Sequence, residues 1–483
     1  MIRPLERLSV GMAIPFGGDR AAVVGPELAA EFQKGDRLLV IQETGELLRV
    51  PAAFHALAAE AVEEALGAFD ALKSASEEAL SRFFEGAARA LADEEVWGRI
   101  AKANAADLTA AAARGRPTNR LEANGAMRAA MIAGLKAWRD APPLRGRLTR
   151  RIEHEGWSLC EETAPLGVIG FVFEARPNVV VDAAGVVKGG NAAVLRIGAD
   201  ALATAGAILD LALAPALLEA GLPAAAVTLL QSPAHACGWA LFSDRRLCLA
   251  IARGSGPATT LLGAIARQSG VPASLHGTGG AWLLADRSAD LARFSAAVAA
   301  SLDRKVCNTL NVCCIPSERA GELVPAFLTA LERAGGEAGA RLHVLENAAP
   351  FVPEAWRGKA EALAPADLSR EWEWESAPEV SLAIVEDLEE AICLFNARAP
   401  RLAASLIAED AAAQARFFEA VEAPFVGDGM TRWVDGQFAY GLPELGLSNW
   451  AGGRLFSRSA ALTGEDVFTI RARMRQIDPG LRR

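Results

Sequence analysis

Paired cysteines at metal-ligand or redox spacing are missing from this chain of 483 residues. Its seven cysteines, Cys160, Cys237, Cys248, Cys307, Cys313, Cys314 and Cys393, are odd in number and scattered, with no C-x-x-C among them. That argues against a structural zinc site and against a disulfide framework. Histidine is scarce: five residues, dispersed, with His154, His235 and His343 expected on surfaces or in turns, so no metal is expected. There is no lysine and arginine cluster, and the formal net charge is −10, which argues against a nucleic-acid surface. The opening Met1-Ile2-Arg3-Pro4-Leu5-Glu6-Arg7 has no uninterrupted apolar core of the kind a signal peptide needs. The longest apolar stretch, residues 201–222, is broken by Asp210, Pro215 and Glu219 and reads as helix, not membrane span. No repeat or low-complexity segment occurs. A cytoplasmic protein with reduced thiols is the expectation.

What is present is globular chemistry: 52% hydrophobic and 22% charged residues, in a chain long enough for two or three domains. Residues 38–41 and 47–50 are apolar runs around a polar turn with Gly45, which predicts a hairpin in a small β module over residues 1–53. From His55 the period turns helical, over residues 56–72, 76–92, 94–114 and 128–140, and Pro142-Pro143 ends the series. Residues 145–160 alternate charge and bulk around His154-Glu155-Gly156, a projecting polar hairpin. Strands then alternate with helices: strands at 167–173, 192–196, 227–230 and 247–252, with helices between. That order predicts a parallel sheet covered on both faces, whose ligands bind at the carboxyl ends of the strands. Alternation resumes over residues 318–420 as a second α/β domain. The tail from Phe425, rich in glycine and aromatics, is expected in loops returning to the body.

Two short stretches carry chemistry. In Val306-Cys307-Asn308-Thr309-Leu310, a helix and a charged turn run into a strand, placing a thiol where backbone N–H groups can hold it as thiolate. Asn308 adds an amide donor suited to a developing oxyanion. A buried cysteine acting as a small hydrophobe is the alternative reading. Arg253-Gly254-Ser255-Gly256 ends a strand and opens a helix, where backbone N–H groups and the helix dipole favour a phosphate. The same glycines also suit a plain tight turn. The Trp372-Glu373-Trp374-Glu375 run has the character to pack on a nucleotide, although a solvated edge fits it better.

Together these blocks resemble the aldehyde dehydrogenase superfamily and, within it, the glutamate-5-semialdehyde dehydrogenase (γ-glutamyl phosphate reductase) family, over about residues 57–445. The most distinctive piece runs from Pro165-Leu166-Gly167-Val168-Ile169-Gly170 through Glu174-Ala175-Arg176-Pro177-Asn178 to Asp182-Ala183-Ala184 and Gly190-Asn191-Ala192. Further matches are Ala103-Asn104-Ala105-Ala106-Asp107, Cys307-Asn308-Thr309, Asp387-Leu388 with Ala391-Ile392, and Thr431-Arg432 with Asp435-Gly436-Gln437-Phe438.

The resemblance implies an aldehyde-dehydrogenase-like α/β fold of two doubly wound domains, the N-terminal β module and an oligomerisation arm. The boundaries expected are 1–53 for the extension, 54–280 for the dinucleotide domain with its arm at about 145–160, 281–440 for the catalytic domain, and 441–483 for the returning segment. It implies NADP(H), with NAD possible, as hydride carrier, and reduction of an acyl phosphate to an aldehyde through a Cys307 thioester. Asn178 and Asn308 would lie near the oxyanion. Arg196, Gly254, Ser255, Gly256 and Glu375 would serve the dinucleotide, and Arg176, Thr431 and Arg432 the substrate. Lys188 is a further phosphate or carboxylate partner, with a structural salt bridge as the alternative for it and for Arg176. A dimer or tetramer acting on a small molecule, without nucleic acid or membrane, is the assembly implied.

Hydrolytic aldehyde dehydrogenases carry a glutamate before a Gly-Gly pair, whereas this chain reads Ser274-Leu275-His276-Gly277-Thr278-Gly279. With no base for water, a thioester exchanges with phosphate or a thiol instead. His276 is the one base in the stretch, and a turn histidine is its plainer reading. Asn311 stands where the family has glutamate, Asp303-Arg304-Lys305 replaces a longer Gln-Arg-Pro-containing run, and Phe456-Ser457-Arg458-Ser459-Ala460 keeps only the arginine of the family's His-Ala-Arg-Gly-Pro. The alternatives are therefore a paralogue working on another acyl phosphate or acyl-CoA, or a degenerate relative with a binding or assembly role.

Overall fold

The computed structural model describes residues 4–118, 120–433, 439–451, 454–455 and 459–482. The Asp435–Phe438 motif lies outside them, as do residues 456–458 of the divergent tail. The chain forms two compact units: one of residues 1–276, 441–446 and 461–483, the other of 277–440 and 447–460.

The first unit begins with two hairpins, β1 (Ala13–Phe16) with β2 (Arg20–Val23) and β3 (Arg37–Val40) with β4 (Leu47–Val50). Buried Asp36 fastens the second hairpin to the following helix Ala52–Leu72: it accepts from Arg49 Nε at 2.6 Å and from the Ala52 N–H at 3.0 Å. The next three helices start where a side chain caps them: Ser76 accepts from the Ala79 N–H, Asp93 from Glu95 and Val96, and Asn124 from Met127. An antiparallel arm follows, β5 (Leu148–His154) on β6 (Trp157–Pro165). The C-terminal strand Phe468–Gln476 adds to β6 along its whole length, so the tail is more than returning loops. Its sequence Phe-Thr-Ile-Arg-Ala-Arg-Met-Arg-Gln alternates with period two, which is a strand signal.

The core of this unit is a five-stranded parallel sheet built from β7 (Val168–Phe173), β8 (Ala192–Ile197), β9 (Val227–Leu229), β10 (Leu249–Arg253) and β11 (Ala273–His276). The strand order is β11-β10-β7-β8-β9. The chain winds outward from β7 through β8 to β9, then crosses back to β10 and β11. The crevice of this doubly wound sheet therefore opens between β7 and β10. The segment Ala199–Glu219 is long and apolar enough to cross a membrane by length and composition, but Ile208, Leu213 and Leu217 on it are buried in the unit.

Asn191 shows why the Gly-Asn-Ala motif closes this sheet. It has no exposed surface, and its Oδ1 accepts from the Leu166 and Gly167 N–H groups at 2.7 and 3.0 Å. Its Nδ2 donates to the carbonyls of Val186 and Val467 at 3.2 and 2.9 Å. Asn191→Ala strands these backbone groups in an apolar setting and is expected to destabilise the protein by about 3 kcal/mol or more in chemical denaturation. A loss below about 1 kcal/mol would show that the motif closes nothing.

The second unit holds a seven-stranded parallel sheet: β12 (Ala281–Ala285), β13 (Leu310–Pro316), β14 (Arg341–Leu345), β15 (Ala360–Leu363), β16 (Glu379–Val385), β17 (Ala403–Ile407) and β18 (Phe425–Gly427). Their order is β15-β14-β16-β13-β12-β17-β18. β12 and β13 are central and read as continuous apolar runs because both faces are covered. His343 is not a surface residue: it is buried, stacked on Trp372 at 3.7 Å between ring centroids, with Nε2 2.7 Å from Glu379. Trp372 in turn is core and not solvated edge, its indole N–H donating to Ser381 Oγ at 2.8 Å. A sequence run that alternates tryptophan and glutamate does not say which ring finds a buried partner.

Candidate active site

In the first unit the loops at the crevice are those after β7 and β10, tied by the Glu174 N–H donating to the Arg253 carbonyl at 3.0 Å. Arg176 pairs with Glu174, Nε to Oε1 2.8 Å. Burial disfavours the Glu174 charge, but Arg176 and Arg253 outweigh it and hold the carboxyl below its ordinary range. Asn178 directs its amide Nδ2 to Asp182 Oδ2 at 2.7 Å. Desolvation, against the pull of Arg253, pushes Asp182 up to about 7. Burial and the nearby Arg253 push His276 down to about 3, so its imidazole is neutral at working pH.

These shifts have opposite consequences. Folded Asp182 keeps its proton up to about pH 7 while the unfolded chain releases it near 4, so this contribution to stability is lost as pH rises between them. His276 works the other way, losing stability as pH falls below its ordinary value. Asp182→Asn removes only the first. Its stability relative to the native protein should climb by about 2 kcal/mol between pH 5 and 8, roughly half the full linkage value because the side chain keeps some solvent contact. Thermal melts across that range check it; a constant difference would mean that Asp182 does not titrate there.

Gly254, Ser255 and Gly256 lie at the carboxyl end of β10. Ser255 is the N-cap of the helix Gly256–Gln268, whose first-turn N–H groups have no partner inside the helix. A side chain at Gly254 would meet nothing within 4 Å, but the Gly254 N–H already donates to the His276 carbonyl at 3.2 Å, so the donors left for a phosphate are those of the helix's first turn. Arg196 lies buried on β8 with a guanidinium N–H donating to the Pro233 carbonyl, and desolvation lowers its pKa. Lys188, also buried, pairs with Glu77 at 3.6 Å, which is the salt-bridge alternative.

Cys307 belongs to the second unit. It sits half-buried in the loop between the helix Leu291–Ala300 and β13. Thr309 ties that loop to itself: its Oγ1 accepts from the Val306 N–H at 2.9 Å and donates to the Arg304 carbonyl at 2.7 Å. The Gly280 N–H donates to the Cys307 carbonyl at 2.6 Å. Cys313 and Cys314, by contrast, are buried in β13, where desolvation drives both thiols well above their ordinary range. Only the thiolate is a nucleophile, so the two strand cysteines are inert.

Thr431 and Arg432 do not face outward, as a substrate contact would. Thr431 Oγ1 donates to the Asn308 carbonyl at 2.8 Å and its N–H to Ser301 Oγ at 2.9 Å. Arg432 places Nε 2.6 Å from Asp303 and Nη1 3.1 Å from Asn308 Oδ1. They are the floor of the cysteine loop. Asn308, 2% exposed, is held in that floor with its amide oriented by Arg432. Glu375 is exposed in the second unit.

The aldehyde dehydrogenase family model matches residues 41–343 of the sequence. This chain belongs to the aldehyde dehydrogenase family. It is thus an oxidoreductase of a family that uses NAD(P). A γ-glutamyl phosphate reductase of Thermus thermophilus is 32% identical over 374 residues, covering 74% of this chain and 86% of that protein. One from an Anaeromyxobacter species is 34% identical over 416 residues, covering 83% and 91%. These relatives place the chain on the γ-glutamyl phosphate reductase branch of the family. The crystal structure of the Thermotoga maritima γ-glutamyl phosphate reductase superposes with a TM-score of 0.77 at 23% identity, over 88% of this chain and all of that one. An acetylating aldehyde dehydrogenase from Geobacillus thermoglucosidasius has a TM-score of 0.63 at 17% identity. Both superpositions support the aldehyde-dehydrogenase-like α/β fold.

Sequence reasoning did not single out the Lys305–Glu371 pair of the second unit or, in the first, the Asp182 carboxyl that accepts from Asn178. The Gly279-Gly280 pair was the available signal, since adjacent glycines mark a close backbone approach. Asn311 was the other. Its Oδ1 accepts from the Trp372 N–H at 2.9 Å and its Nδ2 donates to the Arg370 carbonyl at 2.8 Å, clasping the segment that bears Glu371.

Proposed function

We propose that the protein reduces an acyl phosphate of the γ-glutamyl phosphate type to its aldehyde, a step of proline biosynthesis, with Cys307 as nucleophile. What carries the reading is the half-buried Cys307 in its anchored loop, in a chain whose curated relatives are γ-glutamyl phosphate reductases. The Cys307 thiolate adds to the acyl carbon. The tetrahedral adduct collapses with the C–O electron pair leaving on inorganic phosphate, and a thioester remains on the cysteine. A reduced dinucleotide held in the first unit would supply the hydride that converts this thioester to a thiohemiacetal. Collapse of the thiohemiacetal oxyanion breaks the C–S bond, frees the aldehyde and restores the thiolate. Asn178 is the oxyanion donor of the proposal, and Arg176 a partner for substrate charge.

The residues suit a dinucleotide: no side chain at Gly254 to bar its approach, first-turn N–H groups after Ser255, and the Arg196 cation. NADP(H) is the form we assign. Asp200 follows β8, where a carboxylate would hold a ribose hydroxyl, but Arg114 and Arg116 each lie 2.5 Å from it. Arginines at that place favour a 2′-phosphate. We assign a homo-oligomer assembled through the arm, on which Leu148, Ile470 and Met474 are exposed. The proposed compartment is the cytoplasm, where the Cys307 thiol stays reduced.

The test follows the reverse reaction by dinucleotide absorbance, with glutamate-5-semialdehyde, NADP or NAD, and phosphate present or omitted. Phosphate-dependent turnover, faster with NADP, is expected. Turnover that requires coenzyme A in place of phosphate would move the protein to the acylating readings, and dinucleotide binding without turnover would remove the glutamyl assignment.

A further inference from the structure

No carboxylate precedes the Gly279-Gly280 pair in sequence, yet the fold brings one to it. Glu371 accepts the Gly279 N–H on Oε2 at 2.5 Å and the Lys305 ammonium on Oε1 at 2.5 Å. Both side chains are withdrawn from water, Lys305 to 4% exposure and Glu371 to 15%. A β-carbon built on Gly279 would stand 2.7 Å from Glu371 Oε1 and 2.7 Å from Cys307 Cα, so the carboxylate lies beside the nucleophile's own backbone. Asn311 fixes its place by gripping the residues on either side of it.

A buried carboxylate next to a thioester is the group that would activate water. Here each of its oxygens is already engaged, one by a cation and one by a backbone donor. We infer that Lys305 is a positioning residue that locks Glu371 out of base catalysis, and that this lock keeps the Cys307 thioester for phosphate exchange and reduction instead of hydrolysis. The inference rests on the reading of Cys307 as an acyl-enzyme nucleophile. Without the lysine, Glu371 takes a proton from water as the oxygen adds to the thioester carbonyl. The adduct then expels the Cys307 thiolate and leaves a carboxylic acid. In the oxidative direction the cycle closes with water in place of phosphate, and NADP remains the oxidant.

The experiment measures NADPH formation from glutamate-5-semialdehyde in phosphate-free buffer. Wild type with phosphate added is run alongside. Lys305→Met should raise phosphate-independent turnover by about 10²- to 10⁴-fold over wild type, the range a placed general base provides. The acid should appear in equal amount with NADPH. Lys305→Met with Glu371→Gln should lose that gain, and Lys305→Arg should remain phosphate-dependent. The proposal is overturned if Lys305→Met still needs phosphate, or if the double variant keeps the gain. Glu371→Gln alone gives a separate decision should Lys305→Met not fold: it must stay at the wild-type hydrolytic background, and a rise there overturns the lock. Wild-type turnover with phosphate judges the functional reading by itself; its absence removes both, its presence with an unchanged Lys305→Met removes only the lock.

Discussion

Cys307→Ala should reduce phosphate-dependent oxidation of glutamate-5-semialdehyde by about 10⁴-fold or more while leaving dinucleotide binding intact. The size follows from covalent catalysis: without the sulfur there is no thioester, and the remaining groups offer only orientation. No other cysteine in its unit can take over. Cys313 and Cys314 are the nearest in sequence, but both are buried in β13 with their thiols driven up by desolvation. Cys393 is exposed on the helix Leu388–Arg398, outside the cysteine loop. Initial rates of NADPH formation, with dinucleotide binding followed separately by fluorescence, check the result. Activity within tenfold of wild type would remove Cys307 from the chemistry and return it to the alternative of a half-buried small residue. Iodoacetamide labelling gives a second readout, because the anchored Cys307 should react first and its loss should slow labelling.

Gly279→Ala is expected to have the next largest effect, without touching a reactive atom. Its β-carbon would fall 2.3 Å from the Cys307 carbonyl oxygen and 2.7 Å from Cys307 Cα, contacts with backbone that no rotamer change can relieve. The loop that presents the thiol must therefore move, and a displacement of about 1 Å costs about 10²-fold in rate. Overpacking should also lower stability by about 1–3 kcal/mol. Gly321→Ala, on the helix Ala320–Gly335 of the same unit, is the matched control, since a side chain there meets nothing within 4 Å. A turnover number for Gly279→Ala within threefold of wild type, with Gly321→Ala equally unaffected, would mean that the Cys307 loop tolerates displacement.

The sequence by itself determined the architecture. The change from helical to strand period, the glycine turns at strand ends and the alternation of strands with helices are properties of neighbouring residues, and period is what a chain shows locally. It also picked out Cys307, because a helix, a charged turn and a buried strand around it are consecutive. The C-terminal strand Phe468–Gln476 was legible in its alternation, but its partner β6 lies far away in the chain, and only pairing distinguishes a strand from an extended loop. The roles of Thr431 and Arg432 were decided by the tertiary structure: a motif gives residue types, and the packed loop beneath Cys307 decides which way they point. The same holds for the carboxylate beside Gly279. Lys305 and Glu371 are 66 residues apart, and a charge pair leaves no period, spacing or turn signal. Proximity through space, and the loss of water that makes such a pair matter, exist only after β12, β13 and the segment carrying Glu371 have come together.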